Sequence, residues 1–479
     1  VTIDVLPDDV LVEIFFYVNI RGGVIPNPWH ALVHVCRRWR YIVFASPLRL
    51  NLQLEYGGHR PMSEVLDVWP VLPVKLISGV EILPSGLPHP RSDQRWNNIV
   101  AALESEHYDV NRICEINITN MTKSRWRRFA AAMQKPFPEL THLEVSGYLG
   151  LVPVLPDSFL GGSAPRLQYF SLGGIPFPSI PKLLLSANGL VTLTLDHIPD
   201  SGYISPDVMA TVLTVMTRLE SLSLRFRSPL SLFDPGSRPL PPPTRDVLPA
   251  LTELIFKGVY GYLEDLLARI DAPRLYYLSI RFFMDLNFDV PQLHRLIGHA
   301  EEFKAFDHAE VWIFEHSIQL DLRPRTGAAD YHRQLELRIK CKELDWQLSS
   351  LAQVCSPSFP RISDLEELEI KEGSYLPSSH WKDDMENAQW LELLDSLTVL
   401  KNLYLTCGVA PHVCGALQKV SVERATEVLP ALRNIFVDGF PSLEHIQEAI
   451  RSFVAARQFS SHLVTIDHWR RQRSVFGDR

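Results

Sequence analysis

The chain has 479 residues, a formal net charge of −8 and 46% hydrophobic content, enough core-forming material for roughly two to four domains or for one extended repeat array. Composition of this kind excludes disorder as the default state. The acidic balance excludes a global basic field of the sort that holds nucleic acid or an anionic membrane.

Prolines outnumber glycines 36 to 24, as expected where a short element repeats and turns. The six cysteines (Cys36, Cys114, Cys341, Cys355, Cys407 and Cys414) are scattered and show no C-x-x-C spacing. They read as reduced thiols of a cytoplasmic or nuclear protein. No leading apolar stretch with a cleavage site marks secretion, and no apolar run approaches the roughly 18 residues that span a bilayer. The sequons at Asn117 and Asn120 therefore carry little weight. The chain opens on Val1 rather than Met, so its N-terminus is expected to be incomplete.

Pro7, Asp8 and Asp9 suit the first turn of a helix, where a missing N–H costs nothing and negative charge meets the positive end of the dipole. Val10, Leu11, Ile14 and Val18 then recur at helical spacing, thickened by Phe15. After Gly22-Gly23, Pro26 and Pro28, a second helical stretch starts near Trp29, with Leu32, Val35, Cys36 and Trp39 expected on one face. Helices this short have too little core to stand alone and need a partner for their stripes.

This segment resembles the F-box: Leu6-Pro7 opening a helix, V-L-V-E-I-F following, then V-C-R-R-W-R and a trailing S-P-L-R-L-N-L, over residues 3 to 54. The intervening G-G-V-I-P-N-P is longer and richer in proline than the usual link. The resemblance implies docking on a Skp-type adaptor and, through it, on a cullin scaffold. Leu6, Pro7, Val10, Leu11, Ile14, Leu32, Val35, Cys36 and Trp39 are the positions it assigns to that contact. The competing reading is a helical cap that seals whatever follows.

From about residue 137 a pattern of the form L-x-x-L-x-L recurs: Leu140/Leu143/Val145, Leu167/Phe170/Leu172, Leu190/Leu193/Leu195, Leu219/Leu222/Leu224, Leu251/Leu254/Phe256 and Leu275/Leu278/Ile280. It returns at Leu365/Leu368/Ile370, Leu400/Leu403/Leu405 and Leu432/Ile435/Val437, with weaker candidates near Phe303/Phe306 and Leu335/Leu337/Ile339. Proline often precedes the motif (Pro138, Pro165, Pro249, Pro273, Pro430). Between motifs the period shifts to 3.6, as at Met209/Val212/Leu213/Met216, Leu263/Leu266/Leu267/Ile270 and Ile446/Ala449/Ile450/Phe453. Strand followed by helix, repeated, stacks into a solenoid whose strands line one wall.

The chain as a whole is similar to F-box proteins with degenerate leucine-rich repeats, abundant in mushroom-forming fungi. The expected class is thus α/β: a three-helix F-box-like module (1–54), a connecting segment and cap (55–136), an irregular leucine-rich-repeat solenoid (137–441) with a loop insertion at 225–249, and a C-terminal capping helix and tail (442–479).

Strand residues flanking the second leucine alternate onto the inner wall. Interfaces favour aromatic side chains and arginine, so Tyr169, Arg225, Tyr277, Arg281, Tyr404 and Phe436 are the candidate contacts for a protein substrate. The Pro-rich insertion, with Arg225, Arg227, Arg238 and Arg245 and two phenylalanines expected at the surface, Phe226 and Phe233, is either a recognition loop or an insertion without a role.

No Gly-rich phosphate loop is present. Ser379-His380-Trp381-Lys382 fits S-x-x-K but lacks its companion motifs. Cys407, His412 and Cys414 offer three ligands at no standard zinc spacing and read as core cysteines at a strand end. The basic clusters Lys123–Arg128 and His468–Arg473 read as a solvated helix face and a tail. No catalytic residue, metal or cofactor is expected, and no nucleic-acid or membrane partner. The expected role is non-enzymatic: substrate recognition for an SCF-type ubiquitin ligase, acting through effective concentration. The alternative is a repeat scaffold for protein interaction with no ligase association.

Overall fold

Six of the L-x-x-L-x-L motifs begin one residue or more before their strands, in the same tight turn. The first leucine donates its backbone N–H to the carbonyl three residues back: Leu140 to Phe137, Leu167 to Ala164, Leu190 to Ala187, Leu219 to Met216, Leu251 to Leu248 and Leu275 to Ala272, all at 3.1–3.3 Å. These leucines are buried, and the turn they close delivers the chain into the next strand at a constant register. The second leucine and its i+2 partner then face the core, while the residues between them face the other side of the sheet.

The computed structural model describes residues 3–21, 29–67, 72–78, 92–105, 110–147, 154–177, 180–229, 244–283, 290–324, 333–341, 344–354, 365–373, 386–421, 423–438, 448, 450–459 and 463–469. The chain forms two compact units, Val1–Ile204 and Ser205–Arg479. Both are α/β, with helices alternating with strands of a mostly parallel sheet.

The first unit opens with three helices, α1 (Asp8–Arg21), α2 (Trp29–Val35) and α3 (Arg37–Ala45). Six strands follow: β1 (Leu54–Tyr56), β2 (Val74–Ser78), β3 (Ile113–Met121), β4 (His142–Gly147), β5 (Tyr169–Gly173) and β6 (Thr192–Ile198). They pair in chain order and in parallel. Helices α4 (Met62–Leu66), α5 (Ser92–Glu104), α6 (Lys123–Ala132) and α7 (Ile180–Ser186) lie between them in sequence. Leu76, Ile116, Leu143, Phe170 and Leu193 stand in register across five strands, each 0% exposed. The parallel ladder thus starts at Leu54, well ahead of the first clear motif. The basic run Lys123–Arg128 is the front of α6, where Trp126 is buried and Arg125 pairs with Asp93 of α5 at 2.6 Å.

The second unit contains α8 (Pro206–Thr214), β7 (Ser221–Phe226), a short bridge between β8 (Asp246–Val247) and β10 (Ile270–Asp271), β9 (Glu253–Gly258), α9 (Tyr260–Leu267), β11 (Tyr277–Phe282) and α10 (Pro291–His299). Then come β12 (His308–Phe314), β13 (Ser317–Arg323), β14 (Gln334–Lys340), α11 (Leu344–Val354), β15 (Glu367–Glu372), α12 (Glu386–Asp395), β16 (Asn402–Thr406), α13 (Ala410–Gln418), β17 (Asn434–Asp438), a helix at Arg451–Phe459 and β18 (Thr465–Trp469).

Here the simple repeat expected from the motifs breaks. β11 pairs not with the next strand in sequence but with β14, and β12 pairs with β15. β13 lies between β12 and β14, antiparallel to both. The cause is local. Ala309, Val311 and Ile313 alternate with polar residues, a turn at Glu315-His316 reverses the chain, and Ile318, Leu320 and Leu322 alternate again, so the segment closes a hairpin before any helix can form.

Two smaller expectations also change. Phe226 is 2% exposed and stacks edge-on against Phe256 and Tyr262, so it belongs to the core rather than to a recognition loop. Ile270 lies in the β8–β10 bridge rather than on the α9 face. Residues 230–243 of the insertion, Ser379–Lys382, Gly22–Pro28, Cys355, Ile446, Ala449 and Arg470–Arg473 lie outside the described residues. Among the described residues, no helix is long and apolar enough to cross a membrane.

Candidate functional site

Two surfaces stand out on chemical grounds. The first is on the N-terminal helices. Leu11, Val12 and Phe15 of α1, Trp29, Leu32 and Val33 of α2, and Ile42 and Val43 of α3 are buried against one another. Phe15 meets Trp39 at 4.8 Å between ring centroids. Arg38 draws the start of α1 onto α3, donating to Asp8 Oδ1 at 2.6 Å and to the Leu6 carbonyl at 2.5 Å. The Trp29 indole donates to the carbonyl of Gln53 at 3.2 Å, tying α2 to the chain just before β1.

Other apolar side chains of this N-terminal region are exposed. Of sixteen large hydrophobic side chains exposed among the described residues, nine fall before residue 49: Ile3, Val5, Val10, Ile14, Phe16, Tyr17, Val35, Tyr41 and Leu48. Single exposed apolar side chains are ordinary, but such a concentration in a tenth of the chain is not. Of the nine positions assigned from the sequence, Pro7, Val10, Ile14 and Val35 are exposed, Leu6, Cys36 and Trp39 are half-buried, and Leu11 and Leu32 point inward.

The expected single face from Leu32 to Trp39 does not exist. Cys36 is extended (φ −156°, ψ 170°) and caps α3, its sulfur accepting from the Trp39 N–H at 3.4 Å. The helix therefore breaks between Val35 and Arg37.

The second surface is the polar side of the sheet. In the first unit, Lys75, Glu115, His142, Tyr169 and Thr192 stand in one register row. Lys75 pairs with Glu115 at 2.6 Å, and the His142 imidazole stacks on Tyr169 at 3.9 Å with a 3° interplanar angle. Burial lowers the His142 pKa from its ordinary value, so the ring meets Tyr169 as a neutral imidazole.

In the second unit this side carries a row of acids. Ser279, Glu336, Asp321, Glu310 and Glu369 are partners across five adjacent strands, followed by Tyr404 and Phe436. Their side chains face away from the leucine core, yet Ser279, Glu336, Asp321, Glu310, Glu369, Glu367 and Lys371 are all under 9% exposed. Like charges directly opposite destabilise a sheet, and the neighbours answer them. The Lys371 ammonium lies 3.1 Å from Glu310 and 2.7 Å from Glu369, and 4.8 Å over the Trp312 ring. Arg323 also pairs with Glu310. Arg281 and the Ser279 hydroxyl reach the two oxygens of Glu336 at 3.1 and 2.9 Å.

Asp321 accepts from the Gln319 amide at 3.0 and 3.1 Å, and burial outweighs that hydrogen bond, pushing its carboxyl up to about 6. His308 lies 3.6 Å from both Glu310 and Glu367, and burial, aided by Arg323, lowers its pKa. His308, Glu310 and Glu369 are close enough to share a cation. Lys371 already bridges the two carboxylates, so the arrangement is charge-compensated as it stands.

Of the six candidate contacts, Tyr277, Arg281, Tyr404 and Phe436 lie on this polar side in the second unit, and so does Arg225 on β7. Tyr404 and Phe436 stack at 4.7 Å. Tyr169 is in the first unit. Sequence reasoning missed His308, Glu310, Asp321 and Arg323, because their hairpin lacks the leucine motif, and passed over Glu336 and Arg338 within the weaker Leu335/Leu337/Ile339 motif. The alternation of apolar residues from Ala309 to Leu322 was the available signal.

Cys407 is exposed rather than in the core, and Cys414 is buried in α13 with its thiol pushed up to about 12 by burial, which leaves it inert toward metals and oxidants. No family model matches the chain, and no curated protein matches it.

Proposed function

We propose that this chain is the substrate-recognition subunit of an SCF-type ubiquitin ligase. The N-terminal helices would be an F-box that docks on a Skp-type adaptor and so on a cullin scaffold, and the polar side of the leucine-rich-repeat-like sheet would hold a protein substrate. The observation that carries this reading is the two-sidedness of α1–α3. Leu11, Phe15, Leu32 and Val43 satisfy an internal core, and a second set led by Val10, Ile14 and Val35 remains exposed, at 39%, 37% and 59%. A cap that merely sealed the strands would turn its apolar side chains inward. A docking module needs both sets, one to fold and one to bind. Rate gain in this role comes from holding substrate lysines near a charged conjugating enzyme, with no catalytic group supplied by the chain.

The test is co-purification of the full chain with a purified Skp-type adaptor, comparing wild type with Val10→Asp/Ile14→Asp. Binding by the wild type and loss in the variant, with unchanged thermal unfolding, is the expected result. If the folded wild-type chain does not bind the adaptor, the repeat-scaffold reading replaces this one.

A further inference from the structure

We propose that Phe436, Asp438 and Asp467 form a docking point for an arginine-bearing segment of a protein partner. The proposal rests on the reading of the polar sheet side as the substrate-holding surface, and it names the substrate class. The three residues lie on β17 and β18, the last two strands of the second unit's sheet. Phe436 stands in register between Tyr404 and Asp467, and Asp438 follows two residues further along β17. Phe436 and Asp438 alternate with Ile435 and Val437, which are buried on the leucine side. Phe436 and Asp438 are half-buried, and Asp467 is exposed.

The rings of Tyr404 and Phe436 lie 4.7 Å apart and within 14° of parallel. Coplanar rings cannot approach so closely, so the two are stacked face to face. Their separation matches the roughly 4.8 Å between neighbouring strands. The stack therefore runs along the register row and turns the second face of Phe436 toward Asp467. A polar ladder holds the row beside it. Asn402 donates to Glu367 Oε1 at 2.9 Å, Asn434 to Asn402 Oδ1 at 2.7 Å, and the Thr465 hydroxyl to Asn434 Oδ1 at 2.7 Å. The ring and the two acids are thus positioned before any partner arrives, which lowers the ordering cost of binding.

Farther back on the same side, carboxylates are answered within the chain: Glu336 by Arg281, and Glu310 and Glu369 by Lys371. Asp438 and Asp467 differ. Among the described residues neither takes part in an ion pair, and Tyr404 supplies the one ring contact of Phe436. An aromatic face with carboxylates beside it attracts a cation through both the ring quadrupole and the charge. Arginine suits it better than lysine. Its guanidinium plane lies flat on a ring while its fork offers two N–H groups to a carboxylate, which a compact ammonium cannot do together.

The test is fluorescence anisotropy of the full chain with a labelled peptide of alternating glycine and arginine, and with the same peptide carrying lysine or glutamate instead. The expected result is binding of the arginine peptide, weaker binding of the lysine peptide and none of the glutamate peptide, with affinity falling as salt is added. Asp438→Asn/Asp467→Asn should weaken the arginine peptide by about tenfold or more. Phe436→Leu should weaken it by about two- to fivefold and erase the preference over lysine. Asp467→Asn alone changes only an exposed position and keeps the test open if a half-buried site does not tolerate replacement. Glu64→Gln/Glu104→Gln removes the same charge from exposed positions of the first unit and should leave binding unchanged. No binding of the arginine peptide, equal binding by the folded site variants, or an equal loss in the Glu64/Glu104 variant overturns the proposal. So does binding that appears only in Arg470→Gln/Arg471→Gln/Arg473→Gln, since the occupant would then be the chain's own arginines. The site variants should retain the Skp-type adaptor, so loss of peptide binding leaves the ligase reading standing, and loss of adaptor binding leaves this site standing.

Discussion

Glu310 and Asp321 stand directly opposite each other in the antiparallel ladder of β12 and β13, two carboxylates on adjacent strands with less than 9% exposure each. Glu310 has Lys371 and Arg323 beside it, whereas Asp321 is held by the Gln319 amide. Burial raises the Asp321 carboxyl to about 6 against that hydrogen bond. Because its folded pKa lies above the unfolded value, the folded state holds the proton more tightly, and the stability this confers is present below about pH 4 and lost as pH climbs through about 6. Asp321→Asn should remove this loss and raise stability near pH 8 by about 1–3 kcal/mol. Chemical unfolding at pH 5 and pH 8 checks it: the variant's gain should be confined to the higher pH.

Lys371 bridges Glu310 and Glu369 from a position that is 4% exposed. Replacing it with methionine keeps the contact with Trp312 but takes the bridging cation from Glu369 and leaves Glu310 to Arg323. A cost of about 3 kcal/mol or more is expected at neutral pH, as for other broken buried pairs. The loss should shrink toward pH 5, where the stranded acid can take up a proton, and Lys371→Met/Glu369→Gln should recover part of it. Unfolding midpoints across that pH range read the effect directly, and a pH-independent cost would mean that packing rather than charge had been removed.

How far the sequence reaches can be judged from these same residues. The L-x-x-L-x-L rows predicted strands at β4, β5, β6, β7, β9, β11, β15, β16 and β17, because the leucine that opens each motif is buried whatever surrounds it. The hairpin β12–β13 and the exchange of partners it imposes were not legible as repeats, although their two-residue alternation was. Nor were the buried acids. Glu310 sits between Ala309 and Val311 and reads as a solvent-facing strand residue. Its burial comes from Asp321, Glu369 and Lys371, which only pairing brings to it. At Cys36 helical spacing runs through unbroken, and the break is visible only as a capping contact.

Arg457 offers a prediction independent of the sheet. Its side chain is fully buried, and its guanidinium donates to five carbonyls of the loop before β17: Ala425, Val428 and Leu429 from Nη1, and Pro430 and Leu432 from Nη2, at 3.0–3.3 Å. Leu429 is held at φ +53° within this loop. Arg457→Met removes the donor that these carbonyls share and should cost about 2–4 kcal/mol. Arg457→Lys should recover little, since an ammonium cannot span both sets of acceptors. Limited proteolysis should find the 425–432 loop first in both variants.

The two sides of the N-terminal helices should separate experimentally. Leu11 is 0% exposed and Ile14, three residues on, is 37% exposed. Leu11→Ala empties a packed site and should cost the module about 2–4 kcal/mol. Ile14→Ala should change stability by less than about 0.5 kcal/mol while weakening adaptor binding. Cys36→Ser replaces a weak sulfur acceptor by a favoured capping oxygen at the start of α3 and should add about 0.5–1 kcal/mol. Far-ultraviolet circular dichroism melts paired with adaptor pull-down distinguish the three. If Ile14→Ala destabilised the fold as much as Leu11→Ala did, the exposed side would be structural and the docking role would lose its support.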